Sequence, residues 1–81
     1  MAQAKVIEKP APVAQRSGCK IGWEYFKTKA EARTANRFAL KEAKRKASLG
    51  YDFGYRSPGQ ELRLCGANEG EYAGLYEIVI P

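Results

Sequence analysis

The chain contains no histidine among its 81 residues. That absence removes the side chain that most often acts as a general acid or base near neutral pH, and the commonest transition-metal ligand. Its two cysteines, Cys19 and Cys65, are too few for a four-cysteine zinc site or a disulfide scaffold, and their spacing matches no redox or metal motif. No stretch of about 18 apolar residues occurs, so no membrane-spanning helix is expected. The opening segment, MAQAKVIEKPAPVAQRS, lacks the continuous apolar run of a signal peptide. The expected location is therefore cytoplasmic, with both thiols free.

Catalytic constellations are missing as well. Ser17, Ser48 and Ser57 have no histidine base, the glycines sit singly instead of forming a phosphate-cradling loop, and the acidic residues do not cluster as a carboxylate pair. The expectation is a small binding module, not an enzyme, with no cofactor and no bound metal.

What is present is an ordinary globular mixture, 44% hydrophobic and 28% charged, which is enough for one folded domain at this length and not for two. Residues 1–17 are rich in Ala, Pro, Gln and Lys and read as a disordered or loosely held basic N-terminal arm. Residues 18–81 read as the single domain.

Within that domain, Cys19, Ile21, Trp23 and Tyr25 alternate with Lys20, Gly22 and Glu24, the period of a half-buried strand, and Phe26 ends the alternation. Thr28-Lys29-Ala30-Glu31 fits a capping box, and no Pro or Gly interrupts the good helix formers through Ser48. Leu49-Gly50 supplies the stop. Tyr51, Phe53 and Tyr55 share one face of a short candidate strand, and Ser57-Pro58-Gly59 is a turn. Glu61 to Cys65 is another strand candidate, Gly66 to Gly70 a turn or loop, and Tyr72 to Ile80 the last strand. The fold class is α+β: a two-layer β-α-β-β(-β) domain with one long helix on a three- or four-stranded, mostly antiparallel sheet.

At about 100° per residue, Ala32, Ala35, Ala39, Ala43 and Ala47 fall together on the helix, which lets its backbone approach a sheet whose Trp23 and Tyr25 supply the bulk. The opposite third of the circumference carries Arg33, Arg37, Lys41, Lys44 and Arg45. Of the nearby acids, only Glu42 can pair with one of these cations. The net charge of +5 is also unevenly placed. Residues 18–56 hold ten positive and four negative charges, whereas residues 57–81 hold one positive and four negative.

A cationic helix face fits phosphates, and Tyr51, Tyr55 and Arg56 place aromatics beside a cation in the manner of base-stacking surfaces. The leading expectation is thus DNA or RNA binding through Arg33, Arg37, Lys41, Lys44 and Arg45, with Tyr51, Tyr55 and Arg56 as auxiliaries. The alternative is a regulator or inhibitor of a larger host enzyme, of the kind phages encode, docking on an acidic protein surface. A further expectation concerns the outer sheet face. If Tyr76, Ile78 and Ile80 face the helix, then Leu75 and Val79, joined by Phe26 and Leu62 or Leu64, would leave an apolar surface open to a second copy or another protein.

Overall fold

Thr28 has an extended backbone and starts the helix by capping it: its hydroxyl accepts the Glu31 amide at 3.2 Å and donates to the Glu31 carboxylate at 2.8 Å. The computed structural model describes residues 8–19, 21–51 and 62–81. In it, helix α1 spans Lys29–Ser48. The helix ends in a Schellman motif, with the Gly50 amide donating to the Ala47 carbonyl at 3.0 Å and the Tyr51 amide to the Lys46 carbonyl at 3.1 Å. Gly50 sits at φ +89°, a left-handed conformation that costs a non-glycine residue about 1 kcal/mol. Arg45 and Lys46 occupy the last turn, where the helix dipole favours positive charge.

Among the described residues, four strands, β1 (Ala14–Ser17), β2 (Gly22–Phe26), β3 (Leu62–Leu64) and β4 (Tyr76–Ile80), form one antiparallel sheet in the order β1-β2-β4-β3. The helix lies across one face, chiefly over β4. Ala32, Ala35, Ala39 and Ala43 form its buried side. They close on Phe26 and Ile78, with Leu62, Tyr76 and Ile80 packed around them. Burying a side chain such as Phe26 or Ile78 contributes about 1.5–3 kcal/mol, and the alanine surface lets both reach the helix backbone. The two-layer α+β plan expected from the sequence is the one observed.

Its details differ in four places. First, Trp23 and Tyr25 do not face the helix. The β2–β4 register sets Trp23 beside Val79 and Tyr25 beside Glu77, while Glu24 and Phe26 lie on the helix side. Phe26, two residues before the helix cap, is the β2 aromatic that the helix covers.

Second, the outer face is not the apolar surface expected. Phe26 and Leu62 pack under the helix, and Val79 is already buried. A 3-10 segment, Ala67–Tyr72, folds over this face and stacks Tyr72 on Tyr25 with ring centroids 4.1 Å apart. Third, that segment takes the beginning of what reads as the last strand, so β4 starts at Tyr76.

Fourth, the boundary expected at residues 17/18 falls inside the sheet. Ala14–Ser17 pair with Gly22–Tyr25, and the Val13 amide donates to the Tyr25 carbonyl at 2.8 Å. Polar Gln15, Arg16 and Ser17 suit an edge strand, because such a strand needs little apolar surface once its backbone is paired. The candidate strand at Tyr51, Phe53 and Tyr55 and the turn at Ser57-Pro58-Gly59 lie outside the described residues, apart from Tyr51, which is exposed just beyond the helix.

Candidate functional site

Ion pairing divides the five α1 cations expected to share a face, Arg33, Arg37, Lys41, Lys44 and Arg45, into two groups. Arg33, Arg37, Lys41 and Lys44 are exposed, and among the described residues none of them makes an ion pair or side-chain hydrogen bond. Arg45 is different. Its guanidinium grips Glu42 one turn back through Nη2 and through Nε at 3.2 Å, and this holds the Glu42 carboxyl below its ordinary range. The five cations thus share a face, but only four carry uncompensated charge. Tyr51 is exposed at the end of the same helix, whereas Tyr55 and Arg56 lie outside the described residues.

The carboxylates show the complementary pattern. Glu24 pairs with Lys9 at 2.9 Å, and Glu31 is held by the cap hydroxyl of Thr28. Glu42 is held by Arg45. Glu69 and Glu77 both bind Arg63 on the opposite side of the sheet. Among the described acidic residues, only Glu8 and Glu71 lack such a partner.

The outer face of the sheet holds a hydrogen-bonded polar cluster around Glu77, beside which the buried Trp23 indole N–H has no partner among the described residues. Glu77 is only 3% exposed, yet its cross-strand neighbours on both sides complement it. The Tyr25 hydroxyl donates to Oε2 at 2.7 Å, and Arg63 Nη2 and Nε approach Oε1 at 3.2 and 3.3 Å. Arg63 also binds Glu69 through two nitrogens, at 2.6 and 2.7 Å, and the Gly66 amide adds a third donor at 2.8 Å. These donors pull the Glu69 carboxyl down to about 2. Burial, reinforced by the hydrogen bond to Glu77, raises the Tyr25 phenol above its ordinary value. Arg16 lies 4.5 Å over the Trp23 ring and closes the cluster's edge.

The ligand atoms of Cys65, Glu69 and Glu77 lie within 4.8 Å of one another, close enough to suggest a metal. The donor set does not fit one. Arg63 bridges both carboxylates, Arg16 Nη2 brings a second positive charge to within 3.7 Å of Glu77, and burial raises the Cys65 thiol, keeping it in the form that binds metals poorly. This cluster stabilises the sheet and displays little net charge.

Neither Glu77 nor Tyr72 was among the candidate functional residues read from the sequence. The signal for Glu77 was there, a single carboxylate within Tyr-Glu-Ile-Val-Ile, because a charge in a buried strand requires partners. Nothing comparable marked Tyr72.

Protein-family models, curated proteins and solved structures contain no match to this chain. Among the described residues, no helix is long and apolar enough to cross a membrane.

Proposed function

We propose that this chain is a non-enzymatic nucleic-acid-binding module whose contact surface is the exposed face of α1. One observation carries the reading: Arg33, Arg37, Lys41 and Lys44 are unpaired on one side of the molecule, while most described carboxylates are engaged elsewhere. An ion pair within the protein would offset attraction to phosphate, and these four cations have none among the described residues. Arg33, Arg37 and Lys41 also rise along the helix in steps of about 6 Å, so they form a row that can follow a phosphate backbone. Binding to phosphate displaces counterions and needs no deep pocket.

The test is fluorescence anisotropy with labelled DNA and RNA across a salt series. With four phosphates neutralised, the log–log salt slope on duplex DNA is about −3.6, and affinity falls about 150-fold for a fourfold rise in salt. No binding at low salt would overturn the reading. So would a salt response unchanged by replacing all four cations with Gln. A protein partner retained from lysate after nuclease treatment, by wild type and not by the four-Gln variant, would assign the face to an acidic protein instead.

A further inference from the structure

Beside the cation row, Phe38 is half-buried with a cleft on each side of it. One cleft, of about 260 Å³, is lined by Phe38, Ala39, Ile80 and Pro81 together with Lys9 and Glu42. Its charged groups already have partners, Lys9 on Glu24 and Glu42 on Arg45. The other cleft, of about 330 Å³, is lined by Thr34, Arg37, Phe38 and Lys41. Here both cations are unpaired among the described residues, and the Thr34 hydroxyl donates to the Ala30 carbonyl at 3.1 Å, which leaves its oxygen free to accept. An aromatic wall, two free cations and one hydrogen-bond acceptor therefore meet in one cleft.

We infer that this cleft takes an unpaired base of a single strand, stacked against Phe38, with the adjoining phosphates on Arg37 and Lys41. The inference rests on the nucleic-acid reading above and adds to it a preference for exposed bases. A duplex hides the flat faces of its bases within the stack, so Phe38 gains nothing from it, whereas a single strand presents a face and a negative charge at every nucleotide. An exocyclic amino group of the base can donate to Thr34. An acidic peptide matches the charge without a flat face to stack.

The experiment measures binding at low salt to three labelled 12-mers: a single strand, the same sequence as a duplex, and an abasic strand that keeps the phosphates. Phe38→Leu should weaken single-strand binding roughly tenfold or more while leaving the duplex and the abasic strand unchanged. Phe38→Trp should retain single-strand binding. Thermal melting of each variant reports on the fold separately.

Unaltered single-strand binding in Phe38→Leu would overturn the inference and leave the phosphate reading standing. Equal losses on intact and abasic strands would also overturn it, because the change would then act through the fold and not through a base. Absence of binding by wild type to any of the three would remove the underlying reading itself.

Discussion

The Tyr25 hydroxyl donates a 2.7 Å hydrogen bond to Glu77, directly across the β2–β4 pairing, in a site where Glu77 is almost wholly buried. A bond to a buried charged acceptor contributes about 1.5–3 kcal/mol, so Tyr25→Phe should lose about that much in urea denaturation. The same bond predicts an alkaline limit. The folded state keeps the Tyr25 proton above its ordinary value of 10.0, while the unfolded chain releases it there. Stability should therefore fall as pH rises past about 10, and Tyr25→Phe should make that decline shallower.

Glu69 sets an opposite limit. Its carboxyl titrates at about 2 when Arg63 and the Gly66 amide hold it, against an ordinary value of 4.5. The unfolded chain takes up this proton first as pH falls, so the stabilisation is complete above about 4.5 and disappears towards 2. Melting temperatures between pH 5 and 2 should drop less steeply in Glu69→Gln than in wild type, from a lower starting point. Equal slopes would refute the coupling.

The exposed α1 cations Arg33 and Lys44 should be dispensable for folding. Arg33→Gln with Lys44→Gln removes two exposed groups that have no partners among the described residues, so the melting temperature should stay within the scatter of surface substitutions. The salt slope for duplex DNA should decrease in magnitude by about 2, one for each lost phosphate contact. A large fall in stability would mean that these side chains serve the fold.

Two glycines make a matched pair for alanine substitution. At Gly18, a Cβ would stand 2.7 Å from the Ile21 carbonyl oxygen and 2.8 Å from Cζ3 of Trp23. The Gly18 amide already donates to that same carbonyl, also at 2.7 Å, so an added methyl would press on a carbonyl held by a hydrogen bond. Gly18→Ala should cost about 1–3 kcal/mol. Gly66→Ala, with nothing within 4 Å of its added Cβ, should stay within about 0.5 kcal/mol. Chemical denaturation of the two variants in parallel checks the contrast.

The helix was legible because its signals are local. Thr28 and Glu31 are three residues apart, Gly50 follows the last turn, and four of the five aligned alanines are the residues found buried. The polar face followed from the same periodicity. What stayed hidden depends on long-range pairing. Alternation along β2 separates Trp23 and Tyr25 from Glu24 and Phe26, but which set meets the helix depends on how β2 joins a strand about fifty residues later. The ring stack of Tyr72 on Tyr25 and the double grip of Arg63 on Glu69 and Glu77 arise only once that pairing exists.

The strand order carries a consequence for how the domain comes into being. β4 follows the other described strands in sequence yet lies between β2 and β3, so β3 joins the sheet only through it, and α1 packs chiefly over it. During synthesis, β1 and β2 can close as a hairpin and α1 can coil, but the helix has no completed floor until Tyr76–Ile80 emerge. Until then Phe26 and the alanine face of α1 remain uncovered in the nascent chain. Pairing of Tyr76–Ile80 therefore joins the hairpin and the helix into one cooperative unit.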